Sequence, residues 1–284
     1  MRIGISASSF GEGYGRFGDN AYKKLKEHGF SATDFGMMDT NSVLYSSDEA
    51  EFEAILNRER ELALKSGIEI FQVHGPWRCP PQDFTEEDRV ERIEKMKRSI
   101  KAASLLGAEN WVIHPLMPFG TSDIKSGDED KTKKINLEFL KNLSDFAGKY
   151  GVTVCLENMP FTEFSISTPE KILETVDAVG ERNVRICLDV GHANVFGLNI
   201  SEEVYRIKDK LQVLHVHDNN FGIDSHLFPF FGTVDWNAFS KALKGINFGG
   251  VFSLETAPPP SMPTELFEKT SKLLFDIANG IVNK

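Results

Sequence analysis

The chain has 284 residues, 40% apolar and 26% charged, the proportions of a soluble globular protein with room for a large core. Its formal net charge of −10 argues against a surface built to grip DNA or RNA, which carries a basic footprint, so no nucleic-acid partner is expected. No apolar run approaches the roughly 18 residues needed to cross a bilayer, and the opening MRIGISASSF lacks a signal-peptide core. The expectation is therefore a cytoplasmic protein with no membrane partner.

Short β-rich runs alternate with amphipathic segments along the whole chain. A strand is expected at 2–8, then a helix at 20–28. The alternation continues with strand 32–36 and helix 48–66, strand 69–74 and helix 86–106, strand 110–114 and helix 130–150. It goes on through strand 153–157 and helix 169–179, strand 185–189 and helix 202–208, strand 211–217 and helix 235–243. Strand 250–255 and helix 264–278 close it. Gly29, Gly67, Gly107, Gly151 and Gly180 follow helical runs as stop signals. Thr85-Glu86 and Thr168-Pro169 read as helix starts.

Runs such as Val152–Leu156 are apolar on both faces, which suits a parallel sheet covered by helices. Eight βα units with no linker between them predict an α/β fold, a (β/α)8 TIM barrel spanning 1–284 as one domain. Long connections follow the strands at 9–19, 75–84, 115–127 and 219–233, on the face where such barrels carry their sites. Cys79, Cys155 and Cys187 form no C-x-x-C pair and read as buried reduced thiols.

Six successive strands end in a side chain able to bind metal: His74, His114, Glu157, Asp189, His217 and Glu255. Taken singly, each has an ordinary explanation, a hydrogen-bonded histidine or a helix-capping acid. Six at the same point of the repeat converge on one axis of a closed barrel, where buried charges are costly unless paired or bound to metal. His192 follows in Asp-Val-Gly-His, and Asp224 and His226 sit as Asp-Ser-His in the next loop. These three are further candidates for metal or substrate binding, with a solvated polar loop as the plainer reading of the last two. His215 points the same way as His217 one layer deeper, as core or support. His28 fits a helix C-terminus, where a partly positive ring offsets the dipole.

Residues 13–18 match G-x-G-x-x-G, but they start well after the strand and carry bulky Tyr14 and Phe17. A glycine-rich lid over the barrel mouth is the better reading than a nucleotide loop. Arg16 in it is a candidate for a substrate phosphate or carboxylate, and equally an ordinary surface arginine.

At Leu156-Glu157-Asn158, Leu188-Asp189-Val190-Gly191-His192, His215-Val216-His217-Asp218, Asp224-Ser225-His226 with Gly232-Thr233-Val234-Asp235-Trp236, and Leu254-Glu255-Thr256, the sequence resembles the xylose isomerase-like barrels. That group holds sugar isomerases and epimerases, and also abasic-site endonucleases of the endonuclease IV type. In the epimerase branch, the resemblance implies that Glu157, Asp189, His217 and Glu255 hold one divalent cation. Glu157 and Glu255 would also be catalytic, moving protons, and His192 would contact substrate. In the endonuclease branch, His74, His114, His192, Asp224 and His226 would complete a three-zinc cluster.

The chain keeps residues of both patterns, but after His217 it reads Asp-Asn-Asn-Phe, without the Asn-Asp and nearby Lys of the endonucleases. The expected function is a metal-dependent isomerase or epimerase of a sugar, sugar phosphate or polyol derivative, working through a metal-stabilised enediolate. The alternatives are a zinc-dependent abasic-site phosphodiesterase and a non-catalytic sugar- or metal-binding barrel. Oxygen-rich ligation suits Mn²⁺ or Mg²⁺, and the histidines pull toward Zn²⁺. Mn²⁺ or Zn²⁺ is expected first, with Mg²⁺ or Co²⁺ as alternatives. The expected partner is a small sugar, with a homo-oligomer left open.

Overall fold

The computed structural model describes residues 1–6, 13–78, 81 and 83–283. Eight parallel strands make one sheet: β1 (Arg2–Ser6), β2 (Ala32–Gly36), β3 (Glu69–His74), β4 (Asn110–Ile113), β5 (Thr153–Glu157), β6 (Val184–Asp189), β7 (Leu211–His215) and β8 (Val251–Leu254). Their order is β7-β6-β5-β4-β3-β2-β1-β8. The ends of this sheet meet at a parallel bridge between Val216 and Leu254. There Val216 N donates to Ser253 O at 2.8 Å and Glu255 N to Val216 O at 2.9 Å. The expected (β/α)8 barrel is formed, and among the described residues no helix is long and apolar enough to cross a membrane.

The strands are short because each is bounded by its role. Residues 153–157 bury four of five side chains, since one face meets the barrel interior and the other the helices. Val112, Cys155, Cys187 and Val213 fill the interior, while Trp111, Phe139, Phe239, Phe252 and Phe267 pack between strands and helices. Cys155 and Cys187 are buried free thiols. Cys79 lies outside the described residues, as do residues 7 and 8 at the end of the expected first strand and residues 9–12 of the loop after it.

The helices begin and end where their caps dictate. Thr85 and Asp88 form a reciprocal capping box at the start of Glu86–Leu106. Thr168 accepts from Lys171 N, with Pro169 in the first turn. Gly67 and Gly107 stop the helices Glu49–Ser66 and Glu86–Leu106 at φ of 67° and 80°, a conformation that side chains with a Cβ rarely take.

Three expectations are corrected. Tyr14–Asn20 is a 3₁₀ turn packed on the body of the protein, not a free lid. Tyr14 is buried edge-on against Phe267, and the Arg16 guanidinium lies 4.3 Å from that ring while donating to Met262 O at 2.7 Å. Arg16 is thus committed to the chain's own carbonyls rather than to a ligand. His28 does cap a helix, but its ring is buried and hydrogen-bonded to Tyr14 Oη at 2.8 Å. Burial pushes its pKa down, so it does not supply the partly positive ring expected there.

Candidate metal centre at the barrel mouth

Strand ends deliver the site. Glu157 and Asp189 are the last residues of β5 and β6, His74 of β3 and His215 of β7, while His114, His217 and Glu255 lie just past β4, β7 and β8. Asp189 also caps the short helix Val190–Val195, its Oδ1 accepting from His192 N at 2.6 Å, which brings His192 back over the strand ends. Asn158 locks β5 to β6. Its side chain accepts from Asp189 N at 2.8 Å and donates to Asp189 O at 3.0 Å, and its carbonyl takes His192 Nδ1 at 2.8 Å.

The loop after β7 is organised by Asp218. Its buried carboxylate accepts from Trp236 Nε1 at 2.8 Å, Phe230 N at 3.0 Å and Val234 N at 3.2 Å. That explains the Gly-Thr-Val-Asp-Trp run in physical terms: the tryptophan indole and the Val234 amide are two of the donors that satisfy a buried carboxylate. So held, the loop turns Asp224 and His226 inward. Asp224 Oδ2 is 3.3 Å from His192 Nε2 and 3.4 Å from His226 Nε2, and His226 Nδ1 donates to Glu255 O at 2.8 Å.

The nine residues singled out from the sequence stand in one connected cluster. His217 Nε2 lies 3.1 Å from Asp189 Oδ1, and its ring stacks on His226 with centroids 4.0 Å apart. Glu157 Oε2 lies 3.1 Å from His114 Nε2 and 3.4 Å from His74 Nε2. Within it, ligand atoms of Glu157, Asp189, His215 and Glu255 lie within 4.8 Å of one another. So do those of His74, His114 and Glu157, and those of His192, His217, Asp224 and His226. The grouping differs from the sequence reading at one point: His215 joins the three carboxylates, while His217 belongs with the loop residues and shares Asp189.

Among the described residues, several buried acceptors in the cluster make no well-directed hydrogen bond, among them Glu157 Oε2 and Glu255 Oε2, although imidazole nitrogens lie 3.1 Å and 3.3 Å from them. Unpaired buried oxygens on two glutamates, facing imidazoles, are what a divalent cation satisfies, so the residues present fit such an ion. Charge is distributed accordingly. Burial opposes ionisation of Glu157, but His215 and His114 outweigh it and hold its carboxyl well below the usual range. Burial raises Glu255, and Glu157 adds to the rise, although the nearby His215 pulls against it. Burial also works against Asp189, yet His192 and His217 bring it down to about 2. His192 is pushed up to about 10 by Asp189 and Asp224 against the effect of burial, whereas burial drives His114 down to about 4.

Above the cluster is a cavity of about 340 Å³. His74, His114, His192, Asp224, His226 and Glu255 form its polar side, and Met38, Trp77, Met159, Pro160 and Phe161 its apolar wall. A larger hollow of about 590 Å³ lies on the outer helices, lined by Glu49, Lys95, Arg98 and Lys101. Its charges largely pair with one another, and it is remote from the strand ends. The mouth cavity, with its buried, partly unpaired ligands, is the candidate site.

Sequence reading missed Asp34 and Trp77, and gave Asn158 and Asp218, both quoted within the motifs, no role of their own.

A family model for the xylose isomerase-like TIM barrel matches residues 22–275. The inosose isomerase of Bacillus velezensis is 30% identical over 200 residues, which span 68% of this chain and 69% of that protein. A solved structure of a D-tagatose 3-epimerase-like protein is 27% identical, with a TM-score of 0.77 over 100% of this chain and 98% of the other. The IOLI protein with a binding zinc atom gives a TM-score of 0.78 over 100% and 98% at 22% identity, a likeness of fold.

Proposed function

Because the chain belongs to the xylose isomerase-like TIM barrel family, we propose that it is a divalent-metal-dependent isomerase or epimerase of a small carbohydrate or cyclic polyol ketone. The observation that carries this is the meeting of Glu157, Asp189 and Glu255, at the ends of three strands, next to a cavity of about 340 Å³ that Glu255 lines. The inosose isomerase and the tagatose 3-epimerase-like relative support the substrate class, and the zinc of the IOLI protein supports the cation.

Glu157, Asp189 and Glu255 would hold the ion, with His217, which reaches them through its 3.1 Å approach to Asp189, as the imidazole ligand. Bound there, it supplies Lewis-acid stabilisation of charge developing on a substrate carbonyl oxygen. The rest falls to the chain. One glutamate takes the proton from the carbon beside the carbonyl, and the other returns one. β5 and β8 are not neighbours in the barrel, so the two carboxylates approach from different sides. Return to the opposite face inverts the carbon; transfers confined to one face interconvert aldose and ketose. His192, anchored by Asn158 and Asp224, stands where it can hold a substrate hydroxyl. The apolar wall of Trp77, Met159 and Phe161 limits water at the reacting carbon.

The test is a panel of ketoses, aldoses and inososes with Mn²⁺, Zn²⁺, Co²⁺ or Mg²⁺ in deuterated water. A product carrying solvent deuterium at carbon is expected. Absence of both turnover and exchange across the panel would overturn the proposal.

One observation favours a second reading, a zinc phosphodiesterase acting on abasic DNA: two further ligand groups, around His74 with His114 and around Asp224 with His226, adjoin the first. Metal analysis and a nicking assay separate the two. One ion per chain with no nicking is expected, and three zinc ions with metal-dependent nicking would reverse the order.

A further inference from the structure

We infer that Asp34 is a positioning residue of this site: by receiving the Nε2 proton of His215 it turns the opposite ring edge, Nδ1, onto Glu157 and Glu255. The inference rests on the proposed function, since it concerns how the two glutamates are aimed.

Asp34 lies in β2, beneath the cavity, and is 1% exposed, as is His215, while Gln72 beside it is fully buried. Burying a carboxylate in a barrel core is costly, and replacing such polar groups by apolar ones is often neutral or stabilising. Here the carboxylate is not even fully satisfied. Oδ2 accepts from Gln72 Nε2 at 2.9 Å and from His215 Nε2 at 3.0 Å, but Oδ1 has no hydrogen-bond partner among the described residues. A group that adds so little to stability for its cost is explained by what it holds.

The backbone is shaped to place it. The β2–β3 register shifts between Thr33 and Asp34, so Thr33 pairs with Ile70 and Asp34 with Gln72, skipping Phe71. Such irregularities re-aim side chains next to active sites. Parallel partners point to the same side, so the shift brings Asp34 and Gln72 together inside the barrel. A matching shift between Ile186 and Cys187 sets His215 beside Asp189.

From there the chain of contacts is short. His215 Nδ1 is 2.8 Å from Glu157 Oε1 and 3.3 Å from Glu255 Oε2. One ring therefore indexes both carboxylates proposed to move protons. It occupies Oε1 of Glu157 and leaves Oε2 toward the histidines. Without Asp34 the imidazole could flip or swing, and both glutamates would lose their common reference.

The test measures Zn²⁺ affinity by competition with a chromogenic chelator, alongside the thermal midpoint of the cation-free protein. Losing an outer partner of this kind typically costs about 10–100-fold in metal affinity or activity. Asp34→Leu should weaken Zn²⁺ by that factor while the midpoint holds or rises, which a purely structural role would not produce. Asp34→Asn keeps an oxygen to accept the Nε2 proton and should recover most of the loss. If Asp34→Leu does not fold, His215→Gln should show the same weakening. Wild-type affinity in Asp34→Leu, or in His215→Gln where the first is not obtained, overturns the inference and leaves the proposed function standing. Asp34→Asn as weak as Asp34→Leu also overturns it, because charge and not placement would then be at work. A wild-type protein that takes up neither Zn²⁺ nor Mn²⁺ brings down the cation reading and the inference with it.

Discussion

Gly191 is pressed against the His217 imidazole: a Cβ at position 191 would lie 1.9 Å from Cε1 and 2.2 Å from Nδ1 of that ring. The glycine in Asp-Val-Gly-His is therefore there for space, in the turn where Asp189 hands the chain to a helix. Gly191→Ala must drive His217 out of place. We expect at least a tenfold loss of Zn²⁺ or Mn²⁺ affinity by chelator competition, with overpacking costing about 1–3 kcal/mol of stability. Unchanged affinity would remove His217 from the cation site.

Asp189 does two things that substitution can separate. It caps Val190–Val195 through His192 N and faces His217. Asp189→Ala should lose both, the cap being worth roughly 0.5–2 kcal/mol. Asp189→Asn can keep the cap but is a poorer anionic ligand. The asparagine variant should therefore melt near wild type without cation, and gain little when Mn²⁺ or Zn²⁺ is added. A full cation-induced rise in its melting temperature would take Asp189 out of the ligand set.

Glu157→Gln and Glu255→Gln keep shape and lose proton transfer. General acid–base catalysis contributes typically ~10²–10⁴-fold, so each variant should lose about that in kcat while still binding the sugar by calorimetry. Full activity in either would remove that glutamate from the chemistry.

His28 gives a pH signature away from the site. Burial lowers its folded pKa below the ordinary 6.5, with Glu268 only partly opposing this and Lys272 and Lys24 assisting. The unfolded chain then binds the proton more readily, so the stabilisation is complete above about pH 6.5 and is lost as pH falls toward the folded value. His192 and His226, shifted upward, act in the opposite sense in cation-free protein. The difference between wild type and His28→Gln isolates the first effect. The wild-type melting temperature should fall more steeply than that of the variant from pH 7 to 5, and parallel profiles would contradict the assignment.

The fold was legible because glycine stops, threonine starts and apolar runs recur in step. The strand-end residues were legible because a polar side chain closes an apolar strand at the same point of successive units. Asp34 was not, since it sits in the middle of Ala-Thr-Asp-Phe-Gly rather than at a strand end, and its inward aim depends on a register shift made with β3. Pairing register is a property of two strands and is written in neither alone. His215 could be placed below His217 by the period of two, but its contacts to Asp34 and Glu157 join three strands. The turn at Tyr14–Asn20 looked mobile from its glycines, and it is fixed by Phe267, which lies near the other end of the chain.

The closure between β7 and β8 carries a consequence for dynamics. Neighbouring strands elsewhere are registered over three to five residue pairs, but this seam is joined at Val216 and Leu254. His217 and Glu255 stand directly on either side of it. The least registered joint of the cylinder is thus flanked by two of the residues proposed to hold the ion. An ion bridging His217 and Glu255 would act as a clasp on that gap. Amide hydrogen exchange at Val216 and Glu255 would then slow on loading far more than exchange at Leu156 or Leu188, deep in the registered wall.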